Sequence, residues 1–166
     1  LTDGVKEMIG LGIADAHRVC IVGGSYGGYA ALAGAAFTPD LYKCAISVNG
    51  VADLPAMLGA VKAHEGPESD SVAYWRDNIG SAYSRKVIEG SPTRAAGRIR
   101  IPVLLIHGID DTVVPIAQSE AMALALDRVG RKYSLVRLAG EDHWLSRSET
   151  RLKVLTEIEK FLAENL

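Results

Sequence analysis

The stretch from Val19 to Leu32, Val-Cys-Ile-Val-Gly-Gly-Ser-Tyr-Gly-Gly-Tyr-Ala-Ala-Leu, constrains this chain more than any other part of it. A short apolar run ends in two glycines, a serine follows, and then come small residues with no helix breaker. That order reads as a buried strand, a sharp turn and a helix of small side chains. Ser25 takes the apex. A serine in Gly-x-Ser-x-Gly sits on a strained turn that lifts its hydroxyl out of the sheet, and the flanking glycines let strand and helix cross closely. This is the form of a nucleophile elbow. The N-terminal dipole of the helix and the backbone N–H of Tyr26 face the place where a tetrahedral oxyanion would form. A phosphate-binding turn fits less well. A dinucleotide fingerprint would need glycine where Ser25 stands, and a Walker loop would need a lysine that the turn lacks.

The rest of the chain alternates strands with helices. Val5, Met8, Ile9 and Ile13 fall at helical spacing behind Thr2 and Asp3, so a helix over 2–13 precedes the elbow strand. After the elbow helix, Thr38-Pro39-Asp40 marks a break and Cys44 to Asn49 reads as a second strand. Leu54, Met57, Leu58 and Val61 suggest a helix, the polar loop from Gly66 to Ser71 follows, and Tyr74 to Tyr83 suggests another helix. Ile101 to His107 is a third strand with proline near its start, where a missing donor is tolerated. A helix from Pro115 to Val129 stops at Gly130, residues 133–139 make a fourth strand, and the tail from Glu149 puts Leu152, Leu155, Ile158, Phe161 and Leu162 on one face of a last helix. Strands separated by helices predict an α/β fold, a mostly parallel sheet of about four strands with helices on both faces.

Composition excludes some functions. The 166 residues are 48% apolar and 23% charged, enough for one sizeable core, and the formal net charge of −2 with both signs scattered offers no basic face. Nucleic acid and membranes are therefore not expected partners. No His, Cys, Asp and Glu residues show a metal-ligand spacing, so neither metal nor cofactor is expected. Cys20 and Cys44, each inside an apolar run, read as buried free thiols.

In an open parallel sheet, ligands bind beyond the carboxyl ends of the strands. The polar residues just past those ends are Ser25, Asn49, Asp110 with Asp111, and His143. A nucleophilic serine needs an imidazole to take its proton and a carboxylate to orient that imidazole, and Ser, acid, His is the chain order of the α/β-hydrolases. Ser25, one of the two aspartates, and His143 supply it. His17 and His64 fall in polar connections, and His107 at a strand end suits a structural role. The two aspartates are adjacent and cannot both aim at one imidazole; Asp110 could instead cap the following turn.

Gly23 to Tyr29, His107 to Pro115 (His-Gly-Ile-Asp-Asp-Thr-Val-Val-Pro), Tyr74-Trp75-Arg76, and Ser91-Pro92 ahead of Ile101-Pro102 together resemble the catalytic domain of the prolyl oligopeptidase family of serine peptidases, particularly its acylaminoacyl-peptidase and dipeptidyl-peptidase-like members. The resemblance covers nearly the whole chain. In that family the acid is the fourth residue after the histidine of His-Gly and is followed by Val-Pro, which selects Asp111. The resemblance thus implies Ser25 as nucleophile, His143 as base, Asp111 as its orienter and the Tyr26 N–H as an oxyanion donor. It places Val51, Leu54, Met57 and Val114 around the side chain before the scissile bond, although an apolar core role would also suit them. The implied activity is cleavage of short peptides or of aminoacyl and acylaminoacyl amides through an acyl-enzyme. A carboxylesterase and a non-catalytic assembly module are the alternatives. Family members carry further strands, a second oxyanion donor and usually a propeller before the elbow. The resemblance therefore implies that residues 1–166 are the C-terminal portion of such a domain, inactive alone and prone to form a homo-oligomer through an exposed sheet edge.

Overall fold

The computed structural model describes all 166 residues, Leu1 to Leu166. Helix α1 (Thr2–Gly10) leads to strand β1 (Cys20–Gly24), helix α2 (Tyr26–Phe37) and strand β2 (Cys44–Val48). Helices α3 (Leu54–Glu65), α4 (Asp70–Ile79) and α5 (Arg85–Glu89) and a 3-10 turn (Pro92–Arg98) then precede strand β3 (Val103–Gly108). Helix α6 (Ala117–Arg128), strand β4 (Tyr133–Leu138) and helix α7 (Ser148–Asn165) complete the chain. The four strands form one parallel sheet in the order β1-β2-β3-β4, as the alternation of elements predicts.

Strands β2 and β3 are apolar on both faces because helices cover both. Ala45, Val103 and Leu105 pack with Leu32, Ala35 and Ala36 of α2 and with Met122 and Leu126 of α6. Their neighbours Ile46, Leu104 and Ile106 point the other way, onto Val154 and Phe161 of α7. A third apolar group, Val51, Met57, Leu58, Val61, Val87 and Val114, lies beyond the carboxyl ends of the strands under α3, α4 and α5.

Three local expectations change. The helix read over 74–83 instead begins at Asp70, because Ser69 caps it by accepting the Val72 N–H at 3.3 Å; it stops at Gly80, which holds φ 101. The first helix ends at Gly10 rather than residue 13 and buries none of its side chains, leaving Met8, Leu11 and Ile13 exposed. Cys20 and Cys44 are bonded to each other instead of being free thiols. Parallel register sets the two residues opposite one another with Cα atoms 4.7 Å apart, inside the span a disulfide bridges. No helix is long and apolar enough to cross a membrane.

Strand β1 and helix α2 meet at Gly23, where an added Cβ would fall on the backbone of Gly27. Gly28 in turn leaves room for Gly50 and the Ser47 hydroxyl, each 2.7 Å from where its Cβ would be. Gly27 itself faces open space. Gly23→Ala should therefore lower unfolding free energy by about 1–3 kcal/mol or more through overpacking against backbone that cannot yield. Gly27→Ala should change it by less than about 1 kcal/mol, in the stabilising direction. The midpoints of urea unfolding of the two variants, beside that of the unchanged chain, measure this contrast.

Candidate active site

All four strands run the same way, so the residues that follow them gather along one edge of the sheet. Ser25 is held there at φ 56 and ψ −122, a backbone state that costs about 1–3 kcal/mol for a residue with a Cβ. Its N–H donates to the Val48 carbonyl at 2.9 Å, and its carbonyl accepts the Tyr29 N–H at 3.1 Å. These two bonds and the crossing at Gly23 hold the strain in place. The Tyr26 N–H opens α2 and, like the first donors of any helix, has no acceptor within it.

Asp111 hangs from the loop after β3 and is buried. Its Oδ1 accepts the N–H groups of Val113 and Val114 at 2.9 and 2.8 Å, and its Oδ2 accepts Nδ1–H of His143 at 2.7 Å. Asp111 is thus both the turn cap and the partner of the imidazole. Asp110, read as the candidate cap, instead points its side chain to solvent while its N–H donates to the Glu141 carbonyl at 3.0 Å. Because Nδ1 of His143 faces a carboxylate it carries the ring proton, which leaves Nε2 to accept the Ser25 hydroxyl at 3.0 Å. The three side chains form one hydrogen-bonded row, Ser25 to His143 to Asp111.

His143 sits in a loop with its own supports. Glu141, fully buried, accepts the N–H groups of Asp142 and Arg147 at 3.1 and 3.4 Å. Asp142 accepts the Trp144 N–H at 2.9 Å, and both the N–H and the hydroxyl of Ser146, at 3.2 and 2.7 Å. Leu145 adopts φ 52 to turn the chain. The structural role read for His107 has a definite form. Its Nε2 lies 2.8 Å from the Val114 carbonyl, so that nitrogen carries the proton, and its Nδ1 accepts the Ser119 hydroxyl at 2.7 Å. The same Nε2 is 3.6 Å from Oδ2 of Asp111.

Burial alone would push the Asp111 carboxyl up. The nearby His107 Nε2–H, hydrogen bonds from His143 and the Val114 N–H, and the charge His143 can carry together outweigh that and hold it below the usual carboxylate range.

Beside Ser25 lies a cavity of about 510 Å³. Of the four apolar residues that the resemblance implies for a substrate pocket, Val51, Met57 and Val114 line this cavity, with Trp75, Val61 and Pro115. Leu54 does not: it lines a smaller cavity of about 100 Å³ behind Tyr29 and Ile79. His64, read in a polar connection, is in the last turn of α3, and it and Glu65 stand at the cavity rim. Trp75 was marked in the sequence only by the Tyr74-Trp75-Arg76 motif; nothing local points it at Ser25, since the approach of α4 to α3 puts it there. Gln118 and Ser91 fasten the wall. The Gln118 Oε1 accepts the N–H groups of Ala52 and Asp53 at 2.9 and 2.8 Å, and the Ser91 hydroxyl accepts that of Leu54 at 3.0 Å.

Because the folded Asp111 titrates below the unfolded side chain, its ionised form stabilises the fold fully above the ordinary aspartate value of about 3.9 and loses that effect as pH falls through the lower, folded value. The stability gap between the unchanged chain and Asp111→Asn should therefore be constant near neutrality and shrink below about pH 4. Urea unfolding across that range measures it; a gap that widens on acidification would contradict the assignment.

A family model described as the prolyl oligopeptidase family matches residues 1–166. The dipeptidyl aminopeptidase BIII of Pseudoxanthomonas mexicana is 30% identical over 167 residues, covering 100% of this chain and 24% of that protein. Among solved structures, a puromycin-hydrolyzing peptidase of Mycobacterium tuberculosis superposes with a TM-score of 0.89 at 34% identity, over 99% of this chain and 24% of the other. The acylaminoacyl peptidase of Pyrococcus horikoshii shares the fold, with a TM-score of 0.85 at 24% identity over 99% of this chain and 27% of the other. The chain spans about a quarter of the length of the first curated relatives it matches. With a parallel α/β-hydrolase sheet, an elbow serine and a family match from the first residue to the last, the chain belongs to the prolyl oligopeptidase family.

Proposed function

We propose that the protein is a serine peptidase that cleaves short peptides or aminoacyl and acylaminoacyl amides through an acyl-enzyme. The observation that carries this is the row of hydrogen bonds from Ser25 through His143 to Asp111, of 3.0 and 2.7 Å. Ser25 Oγ attacks the carbonyl carbon as its proton passes to Nε2 of His143. Asp111 keeps the ring in the tautomer that can accept that proton and steadies the imidazolium that results. The Tyr26 N–H donates to the oxygen of the tetrahedral intermediate. Nε2 then protonates the leaving amine, the C–N bond breaks, and the acyl group stays on Ser25. A water molecule enters, gives its proton to Nε2 and releases the acid by the reverse sequence.

The cavity between Val51, Met57, Trp75 and Val114 suits an apolar side chain before the cut bond, since burying one there removes it from water without stranding a charge. The peptidase names of the relatives support amide over ester substrates.

Ser25→Ala and His143→Ala in the full-length protein should each lower kcat by several orders of magnitude, with the double variant scarcely worse, because the two side chains act as one unit. Asp111→Asn should cost on the order of 10⁴-fold through the wrong tautomer, while Asp110→Asn should be mild. Additive losses would break the reading. Turnover of esters with none of amides would move it to a carboxylesterase, and no turnover or fluorophosphonate labelling at all would leave the assembly module.

We also propose that the 166-residue chain self-associates through β1. That strand pairs only with β2, so its other edge presents unpaired N–H and C=O groups beside the half-exposed Val22. Sedimentation of the chain should show a dimer or larger species; a monomer at all concentrations would exclude it.

A further inference from the structure

Asn49, the residue after β2, is 2% exposed and holds φ 48. Its backbone N–H donates to the Ile106 carbonyl at 2.9 Å, extending the pairing of β2 with β3 by one residue. Its side chain then uses each of its polar groups. Oδ1 accepts the Gly108 N–H at 2.9 Å, and Nδ2 donates to the carbonyls of Asp142 at 3.3 Å and His143 at 3.1 Å. Chemistry fixes which end of the amide is which. Only the oxygen can receive an N–H, and only the nitrogen can serve two carbonyls.

The two carbonyls belong to the peptide units on either side of the His143 Cα. Gly108 ends β3, three residues before Asp111. One buried side chain therefore ties the backbone of the imidazole bearer to the strand from which the carboxylate hangs. A second tie to the same strand end, the Asp110 N–H donating to the Glu141 carbonyl at 3.0 Å, holds the loop two residues before His143, whereas the bonds accepted by the Glu141 and Asp142 side chains come from N–H groups and a hydroxyl within residues 142–147 and give the loop its shape. Gly108 must be glycine for this arrangement, since a Cβ there would lie 2.5 Å from the Glu141 carbonyl and 2.9 Å from that of Asp142.

We propose that Asn49 is a positioning residue: its amide clamps the backbone at His143 to the end of β3, and so sets Nε2 at bonding distance from Ser25 and Nδ1 at bonding distance from Asp111. Its effect on turnover rests on the peptidase reading above. The competing explanation is that asparagine stands there merely because it tolerates a left-handed backbone. Asn49→Gly separates the two, for glycine adopts φ 48 more easily than asparagine but has no amide. Asn49→Asp is the complementary variant. It keeps the shape and the acceptor for Gly108 but sets a carboxylate against two carbonyl oxygens.

In the full-length protein, both variants should lower kcat toward a short aminoacyl amide by about 10²-fold, the cost of misplacing a catalytic group by about 1 Å, while KM changes little. Fluorophosphonate labelling of Ser25 should slow in parallel, and the downfield proton resonance of His143 Nδ1–H should shift or broaden. Hydrogen exchange at the Gly108 amide should quicken in Asn49→Gly and stay slow in Asn49→Asp. Unchanged kcat and labelling in a folded Asn49→Gly would overturn the clamp and leave the backbone explanation. If Asn49→Gly does not fold, Asn49→Asp decides by the same kcat and resonance criteria. If the unchanged protein neither turns over nor labels, the peptidase reading has failed. The clamp is then judged by the His143 resonance and the Gly108 exchange, and fails if neither moves in Asn49→Gly.

Discussion

The close crossing of β1 and α2 at Gly23 is the constraint on which the rest depends. Without a side chain at that residue, the helix can start immediately after the strand, and Ser25 is forced into a backbone state that an unconstrained serine avoids. A slacker connection would relax Ser25 and lower its hydroxyl toward the sheet. The strain persists because the bonds to Val48 and Tyr29 and the packing of Ala31, Leu32 and Ala35 against the sheet over-determine the turn. Position at the rim is thus bought with backbone strain, and the helix core supplies what offsets it.

Around that turn, polar groups that would be costly if buried singly are mostly buried in satisfied sets, the Ser47 hydroxyl under Gly28 being the exception without a partner. Asp111, His107, Gln118, Ser119, Glu141 and Asn49 are all nearly inaccessible to water, and each has partners matched to its donors or acceptors. A network of this sort has few alternative arrangements, because shifting one member strands another in a medium of low polarity. It gives the loops after β3 and β4 a fixed geometry that apolar packing alone would leave adjustable. The two other non-glycine residues of positive φ, Asn49 after β2 and Leu145 after β4, follow strands as Ser25 does, so these departures from easy backbone geometry collect at one end of the sheet.

The wall of the cavity beside Ser25 is built differently. Helices α3, α4 and α5 pack as a separate apolar group above the strand ends, fastened by Gln118 and Ser91 rather than by the sheet. Leu54 lines the smaller cavity with Tyr29, and Trp75, carried on α4, lines the cavity beside Ser25.

Much of this was legible in the residues themselves. The elbow, the alternation of strands with helices, the Gly130 stop and the candidates Ser25 and His143 depend on turn chemistry and periodicity, which consecutive residues express without help from the fold. Other features needed the tertiary structure because they join residues far apart in the chain. Ser25 and His143 are 118 positions apart and Asp111 and His143 are 32 apart, and only the strand order brings them together. Taken by themselves, two adjacent aspartates looked equivalent. Burial and the turn at Val113 and Val114 direct Asp111 inward and leave Asp110 in water. The bond between Cys20 and Cys44 follows from the register of β1 against β2, and the triple contact of Asn49 from the height of one loop over another strand. Sequence determined which groups the chain carries and which local turns they occupy; packing of the sheet and its crossovers decided which of them touch.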